Sequence, residues 1–122
     1  MRTKLLIALG TAAVSMAAPV LAHPRLLTAT PAANATVAPT DKVRLVFSER
    51  LMGPFSGADL TITAKPGAKL TRLPSKAVVQ PDGRTLLLSI PTRLAAGTYW
   101  LGYHVTSVDT HHVQGSYVFR VR

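Results

Sequence analysis

The stretch that decides the fold is Lys42-Val43-Arg44-Leu45-Val46-Phe47, in which apolar and basic side chains alternate. Successive side chains of a β-strand point to opposite faces of the sheet, so Val43, Leu45 and Phe47 share one face and the two basic residues share the other. This pattern predicts a strand that packs one face against a hydrophobic core and exposes the other face to water.

Similar short runs continue along the chain, separated by turn residues such as Pro81-Asp82-Gly83. No stretch keeps helical spacing over several turns. The predicted strands, about seven in number, cover residues 25–30, 42–47, 60–63, 70–73 joined to 77–79 as one strand interrupted at Pro74, 85–90, 98–106 and 116–121. The expected fold is therefore all-β, a single Greek-key β-sandwich or barrel of immunoglobulin-like or cupredoxin-like topology.

Residues 1–22 have the three parts of a cleavable secretion signal. Arg2 and Lys4 form a basic start, an apolar stretch follows, and Val20-Leu21-Ala22 supplies tolerable residues before a cut. The apolar stretch is too short for a confident membrane span, which needs about 20 apolar residues. We therefore predict a signal peptide over residues 1–22 and a single exported, periplasmic domain over residues 23–122.

Charge and cysteine content narrow the function classes. The chain has no cysteine, so no disulfide stabilises the domain and any metal site must use nitrogen, oxygen or thioether donors. It carries 14 Lys and Arg against five Asp and Glu, a net charge of +9, and +7 remains when Arg2 and Lys4 leave with the signal. These charges are scattered singly, so we expect a soluble monomer and no nucleic-acid partner.

Cleavage after Ala22 would make His23 the first residue of the mature protein. Its α-amine and imidazole would then offer two metal-binding nitrogens at a fixed separation, whereas an internal histidine offers one. Pro24 has no backbone N–H, so a metal cannot displace an amide proton there and recruit that nitrogen. On the leader alone, the simpler interpretation is that His23 is a polar residue after a processing site.

The other histidines, His104, His111 and His112, lie near the C-terminus with Asp109 among them. In an extended backbone, side chains two residues apart share a face, so Asp109 and His111 would offer one oxygen and one nitrogen to a cation. His112 would point the opposite way. By spacing alone, a plain loop is the simpler interpretation.

The combination resembles the CopC family of periplasmic copper-binding proteins. The final segment, Ser107-Val108-Asp109-Thr110-His111-His112-Val113-Gln114-Gly115, is similar to that family's Ser-x-Asp-Gly-His-Pro-Val-x-Gly signature, which precedes a last strand containing Phe. The start also fits, with His23, Leu26, Pro31-Ala32 and Asn34-Ala35. Leu45-Val46-Phe47-Ser48-Glu49 resembles the family's second strand, which usually ends in Phe-x-Glu.

The chain departs from the family pattern at several positions. Thr110 stands where the family usually has Gly, His112 where it has Pro, and Tyr103 where Trp is frequent. The loop must therefore avoid a positive φ at Thr110 or adopt it under strain. Met52 is the one methionine after the signal, too few for the Met-rich Cu(I) site of some members, so the chain resembles the Cu(II)-only branch.

The resemblance implies a copper carrier or buffer for copper tolerance and homeostasis, which is not an enzyme, with a CopD-like importer of the inner membrane as a partner. The implied ligands are the α-amine and imidazole of His23, the imidazole of His111 and a carboxylate oxygen of Asp109. Three nitrogens and one oxygen in a plane suit Cu(II). Zn(II) could use similar donors in a tetrahedral arrangement.

The remaining polar residues have less defined roles. Glu49 is a candidate hydrogen-bond partner of a ligating imidazole, and equally a solvated acid at a strand end. His104, within a strand, and His112, on the opposite face, are not expected to be primary ligands.

Two other functions remain open. An N-terminal histidine chelate with a second histidine is also the copper site of polysaccharide monooxygenases, although those enzymes are generally larger and keep an open axial position. A metal-free sandwich that binds another protein is the second alternative, and it predicts no tight Cu(II) binding.

Overall fold

The computed structural model describes residues 10–13, 15, 23–63 and 69–122. Nine strands and one short 3-10 turn, η1 (Gly53–Phe55), make up its regular structure. The strands are β1 (Leu26–Thr30), β2 (Thr36–Val37), β3 (Lys42–Phe47), β4 (Gly57–Thr63), β5 (Thr71–Leu73), β6 (Lys76–Val79), β7 (Thr85–Ser89), β8 (Gly97–Thr106) and β9 (His112–Val121).

The strands form two sheets, and this confirms the predicted β-sandwich. One sheet has the order β1-β3-β7-β6, and the other has the order β2-β9-β8-β4-β5. Neighbouring strands are antiparallel apart from β2 and β9, which run parallel. The chain changes sheet on either side of the short β2, and again between β3 and β4, between β5 and β6, and between β7 and β8, as expected for Greek-key connections.

The core lies between the two sheets. Val43, Leu45 and Phe47 of β3 are fully buried, while Lys42 and Arg44 are exposed, so the predicted alternation of this strand is confirmed. Removal of apolar surface from water is the main stabilising contribution in such a core. Other fully buried apolar side chains come from both sheets, among them Leu60, Leu86, Leu88, Leu101, Val105 and Phe119.

The predicted strand with an interruption at Pro74 is wrong. Residues 71–73 and 76–79 form two separate strands, and these belong to different sheets: β5 pairs with β4, and β6 pairs with β7. Proline cannot donate to a ladder, so Pro74 marks the place where the chain leaves one sheet for the other. With the short β2, this division raises the number of strands from the predicted seven to nine.

The predicted limits of two strands near the C-terminal hairpin were also too narrow. β9 begins at His112 and not at residue 116, and its ten residues pair with β8 from Gly97↔Val121 to Thr106↔His112. β4 begins at Gly57 because residues 57–59 pair with β8. Cross-strand pairing therefore extends both strands through glycine and polar residues that carry little strand signal alone.

The predicted signal peptide lies almost entirely outside the described residues. Within the described part of the chain, no helix is long and apolar enough to cross a membrane.

Candidate metal centre

The segment after His23 is held firmly against the end of β3. Pro24 is fully buried. The backbone N–H of Arg25 donates to Oγ of Ser48 at 2.9 Å, and the N–H of Ser48 donates to the carbonyl oxygen of Arg25 at 2.9 Å. His23 is exposed, but it lies only two residues from this doubly bonded anchor.

The β8–β9 loop, residues 107–111, is a closed turn and not extended backbone. The N–H of Ser107 donates to the carbonyl of His111 at 2.9 Å, and the N–H of Thr110 donates to the carbonyl of Ser107 at 2.8 Å. Thr110 has φ +74°, so the left-handed conformation occurs without the family's usual glycine. The expectation that extended parity aligns Asp109 with His111 is wrong, because the turn itself brings them together.

Residues 48–52, which follow β3, join the two halves of the site. Ser48 anchors Arg25, as described above. Leu51 forms an isolated bridge with Ser107, and the N–H of Val108 donates to the carbonyl of Arg50 at 2.9 Å. One short segment thus holds both the N-terminal strand of one sheet and the hairpin loop of the other.

The structure brings His23, Asp109 and His111 to the same end of the sandwich. Nδ1 of His111 lies 3.1 Å from Oδ1 of Asp109. The rings of His23 and His111 meet edge to face, with centroids 4.8 Å apart and an interplanar angle of 82°. The side chain of His111 is mostly buried, whereas that of Asp109 is about half exposed, at 48%.

Nδ1 of His111 is a buried nitrogen with no hydrogen-bond partner among the residues that the structure describes, although Oδ1 of Asp109 lies within ion-pair distance. Two ligands bonded to one ion at about 2.0 Å would lie about 2.8 Å apart at a right angle and about 3.3 Å apart at a tetrahedral angle. The observed 3.1 Å separation falls between these values. An unpartnered imidazole nitrogen beside a carboxylate therefore fits a shared cation.

The carboxylate of Asp109 is kept in its ionised form. The hydroxyl of Ser107 donates to Oδ1 of Asp109. This bond, and after it the contact with the His111 imidazole, holds the pKa of the Asp109 carboxyl below its ordinary value. A carboxylate that stays charged is available to a metal ion over a wide pH range.

No group of three His, Asp or Glu side chains within the described ranges is already drawn together around a metal position. The imidazole ring of His23 packs against the ring of His111. The backbone nitrogen of His23 is a peptide amide as long as residue 22 precedes it, so it is not yet a free amine. The predicted donor set therefore has one nitrogen that proteolysis would have to supply.

The other polar candidates have no hydrogen bond or ion pair with Asp109 or the His111 side chain among the described residues. Glu49 makes no hydrogen bond or ion pair with any other described residue, so its role stays a prediction. His112, in β9, has Nδ1 3.0 Å from Oγ1 of Thr106 on the outer face of the five-stranded sheet. The ring of His104 lies across Gly57, where an added Cβ would come within 2.8 Å of it.

Two residues with clear structural roles at the site escaped the sequence reasoning. Ser48 anchors the N-terminal segment, and Ser107 bonds to Asp109. A serine two residues before an aspartate only weakly indicates a turn closed by side-chain hydrogen bonds. The burial that distinguishes Ser107 from other serines becomes visible only once the fold is known.

Comparison with known proteins gives consistent matches over nearly all of the described domain. The CopC domain family matches residues 26–122. Copper resistance protein C of Xanthomonas campestris pv. juglandis is 39% identical over 113 residues, covering 91% of this chain and 89% of the relative.

Two solved structures are similar in fold and sequence. PcoC, described as a methionine-rich copper resistance protein from Escherichia coli, superposes with a TM-score of 0.77 and 36% identity over 83% of this chain and 100% of PcoC. CopC from Methylosinus trichosporium OB3b gives a TM-score of 0.70 and 33% identity over 81% of this chain and 93% of that protein. The chain belongs to the CopC family.

Proposed function

We propose that this protein is a periplasmic copper-binding protein of copper resistance, which sequesters or carries Cu(II) and performs no catalysis. The relatives from Xanthomonas campestris and Escherichia coli described above are named as copper resistance proteins, and neither name describes an enzyme. The observation that carries the proposal is the buried Nδ1 of His111, which has no hydrogen-bond partner among the described residues and lies 3.1 Å from the carboxylate of Asp109, while the His23 ring packs edge to face against the same imidazole.

The donor chemistry favours copper as the cargo. His23 would contribute its α-amine and imidazole after cleavage, and His111 and Asp109 would contribute one nitrogen and one oxygen. Nitrogen and oxygen donors in a plane suit the tetragonal preference of Cu(II), which also has the highest affinity in the divalent series. Two donors on one residue bind with less loss of freedom than two separate ligands, so the terminal chelate adds affinity.

The test uses two matched proteins that both begin at His23, one with a free α-amine and one with that amine acetylated. A competition titration with Cu(II) should show tight binding at one equivalent for the first protein. The acetylated form should bind at least about 100-fold more weakly, because it lacks one ligand nitrogen, and even the loss of a partner outside the ligand sphere costs about 10- to 100-fold.

Equal affinity of the two forms would contradict the terminal chelate, and no tight binding by either would contradict copper binding altogether. Incubation of the copper-loaded protein with a reductant separates the carrier from the oxidative enzyme. Sustained peroxide production above that of copper lost to solution would favour the enzyme. Delivery to a CopD-like membrane importer belongs to the same proposal and is tested by copper transfer to membranes that contain the importer.

A further inference from the structure

Ser107 is a fully buried polar residue in a loop that is otherwise largely exposed. Buried polar groups are nearly always hydrogen-bonded, so the partners of this residue show what it does. Its N–H donates to the carbonyl of His111 at 2.9 Å, and its carbonyl accepts the N–H of Thr110 at 2.8 Å. Both backbone groups therefore close the turn.

The hydroxyl of Ser107 has a separate role. Its oxygen lies 3.3 Å from the carbonyl of His111, but that carbonyl already accepts the Ser107 N–H. The shorter contact is to Oδ1 of Asp109, so the single hydroxyl proton goes to the carboxylate. This oxygen is also the one that lies 3.1 Å from Nδ1 of His111.

Without that bond, the carboxylate of Asp109 would have little to hold it. Its side chain is about half exposed, at 48%, and its other contacts among the described residues are with the imidazole and, less strongly, the backbone N–H of His111. An exposed aspartate samples several rotamers, and fixing one of them on metal binding costs conformational entropy. A buried hydroxyl attached to a rigid turn removes most of this cost before the metal arrives.

We propose that Ser107 is a positioning residue of the metal site, whose hydroxyl holds the carboxylate of Asp109 beside His111 in the metal-free protein. This inference rests on the proposed function, because Asp109 and His111 are ligands only there. The residue acts through Asp109 and does not itself contact the metal.

The experiment is a double-mutant cycle in the protein that begins at His23, with Cu(II) affinity as the readout. Ser107→Ala should weaken Cu(II) binding about tenfold or more, as the loss of a partner outside the ligand sphere usually does. In an Asp109→Asn background the same change should cost nearly nothing further, since the group that it orients has lost its charge. Residues that act through one another show this non-additivity.

Two further variants separate positioning from simple destabilisation. Ser107→Thr keeps the hydroxyl and should recover most of the affinity, while Ser116→Ala removes an exposed serine from β9 and should change nothing. The electron paramagnetic resonance spectrum of the copper form should change in Ser107→Ala and stay unchanged in Ser116→Ala. A thermal melt of each metal-free variant reports whether the fold survives.

The outcomes are distinct. Tight binding by the wild type together with equal binding by Ser107→Ala would overturn this inference and leave the proposed function standing. Equal losses in the wild-type and Asp109→Asn backgrounds would show that Ser107 acts on the fold and not through Asp109. No tight binding by the wild type would remove the proposed function and the inference with it.

Discussion

Two hairpin connections of this molecule carry an aspartate that accepts a hydrogen bond from a nearby hydroxyl group. They differ in whether the polar groups around that aspartate all have hydrogen-bond partners. In the β6–β7 connection, Oδ1 of Asp82 accepts the backbone N–H groups of Arg84 at 3.0 Å and Thr85 at 2.9 Å, and Oδ2 accepts the Thr85 hydroxyl. In the β8–β9 connection, Asp109 accepts a hydrogen bond from the Ser107 hydroxyl and faces an imidazole nitrogen of His111 that has no hydrogen-bond partner within the described part of the chain.

The difference separates a structural carboxylate from a candidate ligand. Both groups have a pKa below the ordinary value, and in both the nearby hydroxyl is the main cause. A lowered pKa therefore does not distinguish them. The distinguishing feature is that the acceptors of Asp82 are satisfied by its own turn, whereas Asp109 stands beside an unpartnered nitrogen.

The largest effect should follow from Asp109→Asn, measured as Cu(II) affinity by competition titration. We expect a loss of at least about 100-fold, because a ligand is altered and even an outer partner is worth about 10- to 100-fold. The thermal midpoint of the metal-free protein should change little. An unaltered Cu(II) affinity would show that Asp109 is not a ligand. The proposed functional difference between Asp109 and Asp82 would then be wrong.

The reciprocal change, Asp82→Ala, should have the opposite profile. It leaves two backbone donors and the Thr85 hydroxyl without their acceptor, so the thermal midpoint should fall by several degrees. Cu(II) affinity should stay within experimental error, because the β6–β7 turn contributes nothing to the site. A thermal melt and a titration of the same sample measure both, and a large loss of copper would contradict the assignment.

Acid should remove the contribution of Asp82 in a defined direction. Its pKa is lowered from 3.8 in the folded protein, mainly by the Thr85 hydroxyl. A depressed folded pKa means that the stabilisation is present above the unfolded value and is lost as pH falls through the folded value. The difference in thermal midpoint between wild type and Asp82→Asn should therefore be constant near neutral pH and shrink below about pH 4.

The smallest effect should come from His112→Ala. This imidazole lies on the outer face of the sheet, bonded to Thr106, on the opposite side of the hairpin from the pair at the loop. Cu(II) affinity should therefore be unchanged in a competition titration, with His111→Ala as the matched loss-of-binding control. Comparable losses in the two variants would show that the site is not confined to the loop.

Much of the fold could be predicted because several strands alternate cleanly, as β3 does, and because Pro81-Asp82-Gly83 marks its turn. The sheet to which each strand belongs could not be predicted, because sheet membership depends on pairing between residues far apart in the sequence. Pro74 was therefore read as an interruption within one strand, although it separates two sheets. The two-residue β2 has too few residues to show a period at all.

The geometry of the candidate site could not be predicted from the sequence, and the role of its residues as ligands stays a prediction. His23, Asp109 and His111 follow from the terminal histidine and the family resemblance. The extended parity used to align Asp109 and His111 fails because residue 110 turns the chain through a positive φ. Ser107 and Ser48 escaped notice because a single serine carries no periodic signal, and their roles depend on tertiary contacts.

The two hydrogen bonds between Arg25 and Ser48 also bear on the proposed cleavage after Ala22, because the terminal chelate would depend on the exact position of that cut. After that cut, only His23 and Pro24 would precede the anchored Arg25. Two residues are too few to compensate for an error in the position of the cut. One extra residue would move the terminal nitrogen by about 3.5 Å, more than the whole length of a metal–nitrogen bond, about 2.0 Å. If a peptidase cut one bond early, the domain would still fold, but its terminal α-amine would belong to Ala22 and not to His23. The proposed chelate of that amine with the His23 imidazole would then not form.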